Sequence, residues 1–148
     1  MIAVVQRVLE ARVTVEGRLV GQTGPGMAVL VAVHRDDTDE DARWMAGKLV
    51  GLRIFRQGDK HFELDVRQVG GAILLVSNFT VAGQTRRGRR PSLESAANPQ
   101  KGRQLFDRLV CQVAAQGVPT ATGHFGADMH VHLINDGPVT FIVDSRGE

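Results

Sequence analysis

The stretch Ile2-Ala3-Val4-Val5-Gln6-Arg7-Val8-Leu9-Glu10-Ala11-Arg12-Val13-Thr14-Val15 decides the fold class. It is rich in β-branched residues and alternates apolar with polar positions, so Ile2 to Leu9 and Ala11 to Val15 read as two strands. Glu16-Gly17-Arg18 then turns the chain into Leu19-Val20, which makes a hairpin. Beyond Gly24-Pro25-Gly26, Met27 to Val33 is an unbroken apolar run of strand length, as expected of a strand covered on both faces.

Helical periodicity enters only after this block. Thr38 is placed to cap a helix and Asp41 follows at capping-box spacing, while Ala42, Met45, Ala46, Leu49 and Val50 form one apolar stripe. The acidic run from Asp36 to Asp41 is then favourable charge at a helix N-terminus. Ala72 to Val76 reads as a buried strand that leads into Ser77-Asn78-Phe79-Thr80. Asn98-Pro99 supplies an N-cap and a first-turn proline for a second helix. That helix should turn Leu105, Phe106, Leu109, Val110 and Val113 inward and stop at Gly117 and Pro119. Met129 to Ile134 and Val139 to Val143 read as two closing strands around an Asn135-Asp136-Gly137-Pro138 turn. No repeat, low-complexity tract or linker interrupts the chain. The expected architecture is one α/β domain over 1–148, a mostly antiparallel sheet forming a partial β-barrel with two packed helices.

A chain of 148 residues, 43% hydrophobic and 23% charged, is long enough to fold around its own core. Its single cysteine, Cys111, excludes an intramolecular disulfide and reads as a small buried residue of the second helix. The N-terminal segment lacks the layout of a signal peptide, and no apolar run nears the ~20 residues that cross a bilayer. A cytoplasmic protein without membrane partners is therefore expected. Formal net charge is only +2, which argues against a broadly cationic surface. Yet Arg86, Arg87, Arg89 and Arg90 crowd one loop, either as solvated charge or as a phosphate contact.

The patterns of several enzyme classes are absent: no Gly-x-Ser-x-Gly elbow, phosphate loop, dinucleotide fingerprint or zinc-type cysteine pair. His130 and His132 share one face of a strand, with His124 and Asp128 nearby, but their spacing fits no zinc pattern. Neither a metal nor a cofactor is expected. Ser77 to Thr80 sit at a strand end, where hydroxyls and amides serve either catalysis or the local backbone. Arg7 shares an apolar strand face with Ala3, Val5 and Leu9, so it either reaches water at the strand end or meets a buried acceptor.

Four segments together resemble the D-aminoacyl-tRNA deacylase family. They are Met1 to Val8, Ser77-Asn78-Phe79-Thr80, Gly88-Arg89-Arg90-Pro91-Ser92 and Asn135-Asp136-Gly137-Pro138-Val139-Thr140, in the family's order and spacing. Asn78 stands where the family usually has glutamine, and Val81 where it usually has leucine. The resemblance implies hydrolysis of the ester joining a D-amino acid, or glycine, to the terminal adenosine of tRNA. It implies a homodimer with aminoacylated tRNA as partner, and no DNA. Ser77, Asn78, Phe79 and Thr80 would be the catalytic segment. Gly137 and Pro138 would match a Gly–cis-Pro element lent to the partner subunit, with Arg7 fixing it and Met129 beside it. Asn135 belongs with these substrate-binding residues, and Arg86, Arg87, Arg89 and Arg90 with the tRNA contact. Either backbone N–H groups of Phe79 and Thr80 with the adenosine 2′-hydroxyl would drive hydrolysis, or Thr80 would attack as nucleophile. A non-enzymatic RNA-binding module and a metal-dependent hydrolase are the alternatives.

Overall fold

The computed structural model describes residues 1–147; Glu148, the last residue of the expected domain, lies outside them. The opening stretch is a single strand, β1 (Ile2–Val15), where the sequence pattern predicts two. Its first half pairs antiparallel with β3 (Gly26–Ala32), and its second half pairs with β2 (Arg18–Thr23). The join falls between Val8 and Ala11, where Leu9 and Glu10 point out into solvent. Leu9 therefore does not share the buried face of Ala3, Val5 and Arg7.

The sheet has two covered faces, as the continuous apolar runs foretell. Val5, Met27, Val29, Ile73 and Leu75 form one core with the helices, while Val8, Val13, Ala28, Leu74 and Val76 form a second inside the rolled sheet. Helix α1 (Asp39–Gly51) carries the expected Thr38–Asp41 capping box and buries Ala42, Met45, Ala46, Leu49 and Val50. Helix α2 (Pro99–Ala114) starts at the Asn98 cap and buries Leu105, Phe106, Leu109 and Val113, with Val110 half-buried. Cys111 falls outside that stripe and is exposed, contrary to the sequence expectation.

After α1 come a small hairpin, β4 (Phe55–Gln57) with β5 (Lys60–Leu64), and then β6 (Ala72–Ser77). The pairs β3–β6 and β6–β7 (Thr120–Thr122) are parallel, because α1 and α2 serve as the crossovers that parallel neighbours require. The sheet is thus mixed, with all the pairings of β1 antiparallel. At the seam, a Cβ on Gly21 of β2 would lie 2.1 Å from the Thr122 carbonyl oxygen of β7, so two backbones close the roll almost in contact. No helix among the described residues is long and apolar enough to cross a membrane.

The last strand, β8 (His130–Asp144), overturns the expected hairpin. Both halves run antiparallel to β1 in one direction: Thr14 pairs with His130, Val8 with Asn135, Gln6 with Thr140 and Ile2 with Asp144. Between Val8 and Gln6 only Arg7 intervenes on β1, whereas Asp136 to Val139 intervene on β8. The surplus residues have no ladder partner and bulge out of the sheet opposite Arg7.

Candidate functional site

Ser77 is the final residue of β6, and the next N–H, that of Asn78, donates to the Val31 carbonyl at 2.8 Å. There the chain leaves the sheet and tightens into a 3-10 turn over Phe79–Ala82. Asn78 caps that turn: its Oδ1 accepts from the Thr80 N–H at 3.2 Å and from the Thr80 hydroxyl. An amide side chain suits this position because its oxygen substitutes for the missing preceding carbonyl. The Thr80 N–H is therefore already committed. Among the described residues, no hydrogen bond uses the Phe79 N–H or the Ser77 hydroxyl.

Both of those donors border a cavity of about 830 Å³. Its wall includes Ser77, Asn78, Phe79, Leu93, Phe125 and Met129, and is mostly apolar. Such a concave, apolar space with few polar groups is the usual form of a small-ligand site. Phe79 is 58% exposed at its mouth, a large solvent-facing ring that the fold does not need for its core. Leu93 and Phe125 arrive from loops far apart in the chain, and no local pattern marks them for this role.

Arg7 defines a second locus. It is 4% exposed, so the alternative of a strand end in water is excluded. Its Nη1 donates to the Ile54 carbonyl at 2.8 Å, and its Nε donates to the Asp136 carbonyl at 3.0 Å. The Asp136 carboxylate also approaches Nε, at 3.1 Å, but stays 48% exposed. Asn135 closes the base of the bulge, with Nδ2 donating to the carbonyls of Arg7 and Val139 and Oδ1 accepting from the Val139 N–H. Gly137 admits no side chain, since a Cβ there would lie 1.9 Å from the Val139 nitrogen. Gly137 and Pro138 are exposed at the tip, and the peptide bond between them is cis.

The two loci are not brought together within the chain. Arg7, Asn135, Gly137 and Pro138 do not line the cavity, whereas Met129 does. At about 3.3 Å per strand residue, Asn135 lies roughly 20 Å along β8 from Met129. Met129 thus belongs with Ser77 and not beside Pro138 of its own chain.

Arg86, Arg87, Arg89 and Arg90 occupy an exposed loop whose base is tied by reciprocal bonds between Gln84 and Ser92 at 2.8 and 2.9 Å. Among the described residues none of the four forms an ion pair. The residue after Ser92 is Leu93 of the cavity wall, so the base of the loop adjoins the cavity. No group of three potential metal ligands occurs among the described residues. His130 and His132 are exposed, opposite Thr14 and Arg12 of β1. His34 is buried with both ring nitrogens unpartnered, and burial, followed by Arg146 and the Met1 ammonium, holds its pKa below the ordinary value.

This mixed, nearly closed sheet with two helices recurs in solved structures. One, described as "c-Myc DNA Unwinding Element Binding Protein", is 34% identical with a TM-score of 0.94, covering 99% of this chain and 100% of that one. Another, described as a probable eukaryotic D-amino acid tRNA deacylase, shares the fold at 21% identity and a TM-score of 0.83, covering 96% and 97%. Residues 4–144 match the family model "D-Tyr-tRNA(Tyr) deacylase". A D-aminoacyl-tRNA deacylase of Geobacter sulfurreducens is 54% identical over 99% of this chain and 96% of its own. Those of Pelobacter propionicus (52%, covering 97% and 99%) and Thermotoga petrophila (50%, covering 98% and 97%) are similar over nearly their whole length. The chain belongs to the D-Tyr-tRNA(Tyr) deacylase family.

Proposed function

We propose that the protein hydrolyses the ester of D-aminoacyl-tRNA, and of glycyl-tRNA, releasing the free amino acid and tRNA. The observation that carries this reading is the separation of the two loci: an open cavity with free donors at Ser77 and Phe79, and a remote, exposed Gly137-Pro138 tip braced by Arg7 and Asn135. In a homodimer the tip of one subunit enters the cavity of the other. Main-chain carbonyls of the tip then hold the substrate's amino group, and the tip itself blocks an L side chain. A filter of main chain reads only the configuration at Cα, so it works for any amino acid and discriminates by a clash with the wrong enantiomer. The Phe79 N–H stabilises the developing oxyanion, and preorganised donors of this kind are worth a factor of about 10² to 10³ in rate. With the Thr80 N–H engaged by Asn78, the donor set rests on Phe79. The arginine loop beside Leu93 carries the tRNA backbone, and the protein works in the cytoplasm.

The test is direct. Purified protein is incubated with D-Tyr-tRNA, L-Tyr-tRNA and glycyl-tRNA; release from the D and glycyl forms only is expected, and equal release of L-tyrosine sinks the filter. A 2′-deoxy terminal adenosine that leaves turnover unchanged removes the 2′-hydroxyl from the reaction. A second reading, a DNA contact, draws on the unpaired arginines and on the description of the 34%-identical structure. Duplex DNA competing with tRNA at equal salt would favour it.

A further inference from the structure

Met129 is a wall that two hollows share. It lines the cavity that Ser77 and Phe79 border, and with Ala127 and Asp128 it also lines a second hollow of about 430 Å³. Where its thioether lies therefore fixes how the two spaces are divided. Gly123 sits directly against that thioether. Strand β7 runs parallel to β6 with Leu75 opposite Thr122, so Gly123 follows the end of this ladder, close to the strand end that carries Ser77. Its φ lies outside the left-handed region, so the backbone does not call for glycine there. Space does: a Cβ on Gly123 would stand 2.5 Å from the Met129 Sδ and 3.3 Å from Cγ1 of Val13. Resting on the hydrolase reading, we propose that Gly123 is a positioning residue whose missing side chain leaves a slot for the Met129 thioether and so keeps it clear of the substrate's aminoacyl end.

The consequence of filling the slot follows from the neighbours. Val13 is fully buried in the second core and, being β-branched, is stiff at χ1. Met129 is half-buried, unbranched and free to turn about three bonds, so it is the group that yields to a methyl at position 123. Two spaces are open to it. Thr14, Glu16, Asp128 and His130 border the second hollow, the last three of them exposed, whereas the wall of the larger cavity is mostly apolar. Apolar surface gains free energy by leaving water for apolar surroundings, so the thioether leans into the larger cavity. There it takes room that the substrate needs. Neither residue donates to the oxyanion, so the loss falls on binding and not on the chemical step.

The experiment is a double-mutant cycle on the full-length protein with D-Tyr-tRNA, using Gly123→Ala, Met129→Ala and the pair. Gly123→Ala should raise KM about tenfold with kcat within about twofold of the parent, the scale on which one methylene alters a pocket. In the Met129→Ala background no thioether is left to displace, so adding Gly123→Ala should leave KM where Met129→Ala alone puts it. A glycine kept only for stability would lower the melting temperature and leave KM unchanged, because KM does not depend on how much of the enzyme is folded. Should Gly123→Ala fail to fold, as judged by thermal melting, the pair lacks the clashing sulfur and is compared directly with Met129→Ala. An unchanged KM in Gly123→Ala overturns the proposal, as does a pair whose KM differs from that of Met129→Ala by more than about twofold. An inactive parent protein overturns the hydrolase reading and this inference together; an active parent with either of those results overturns only this one.

Discussion

Arg7 and the four arginines between residues 86 and 90 are the same side chain used in opposite ways. Arg7 is almost wholly buried and spends its donors on two main-chain carbonyls and one carboxylate. The loop arginines are exposed and form no ion pair among the described residues. Burying a guanidinium is costly unless its donors are met, so a buried arginine that persists is doing geometric work at a fixed place. Exposed, unpaired arginines have no such partners to lose and remain available to a phosphate backbone. One arginine braces the fold, and four face solvent.

Breaking the first half of this contrast should have the largest effect. Arg7→Met keeps the aliphatic length but orphans the carbonyls of Asp136 and Ile54, at about 1–3 kcal/mol each when buried. With the bulge no longer braced, turnover of D-Tyr-tRNA should fall by a factor of about 10² or more, as displacement of positioning groups commonly costs. Thermal melting and single-turnover deacylation check the two effects. A variant that melts lower yet turns over normally would reduce Arg7 to a stability role.

The second half predicts the reverse pattern. Alanine at Arg86, Arg87, Arg89 and Arg90 should leave the melting temperature within error while weakening tRNA binding. The slope of log affinity against log salt should flatten by about one for each arginine that meets a phosphate. Binding titrations at several salt concentrations read this directly. An unchanged slope returns the loop to solvated charge and removes half of the comparison.

His34 sharpens the same point with a group that does not carry charge. Buried, it has its pKa lowered from 6.5, chiefly by burial, then by Arg146 and the Met1 ammonium, with Asp37 and the Ser95 backbone opposing. The unfolded chain then binds a proton more readily than the folded one. Its contribution to stability is full above the unfolded value and declines as pH falls through it toward the folded value. Urea midpoints at about pH 8 and about pH 5.5 should show that decline, and His34→Gln should lessen it. A pH-independent midpoint difference between parent and variant would show His34 to be solvated.

What could be read in advance divides along the same line between local and distant causes. The Thr38 cap, the stripe of α1 and the Asn98-Pro99 start of α2 are set by neighbours within a turn, and the sequence predicts them correctly. The parallel pairing of β3 with β6 was less visible, because it depends on α1 crossing the sheet. The residues of β8 near Asn135 mislead for a physical reason: Asn-Asp-Gly-Pro is turn chemistry, but whether the chain reverses after it depends on β1 continuing to offer partners. It does, so the turn becomes a bulge and the strand resumes its course. Arg7 looked anomalous on its apolar face, and the pattern was right to mark it. Its acceptors, the carbonyls of Asp136 and Ile54, lie too far off in sequence for any window to supply them. Ser77 to Thr80 were visible as a strand end, but not the capping role that takes the Thr80 N–H out of reach.

The smallest expected effect is the most discriminating. The Arg7–Asp136 pair at 3.1 Å invites the view that the carboxylate holds the guanidinium. That carboxylate is 48% exposed, so water screens the attraction and the pair contributes about 1 kcal/mol or less. The carbonyl of the same residue is an independent acceptor, and Ile54 a second, and a side-chain substitution at position 136 touches neither. Asp136→Asn should therefore shift stability by under about 1 kcal/mol and leave the preference for D-Tyr-tRNA over L-Tyr-tRNA intact. If it instead reproduces the loss seen in Arg7→Met, the brace is ionic and not main-chain. Arg7 would then be poised by an attraction that salt screens, and the bulge would be held only as firmly as that attraction.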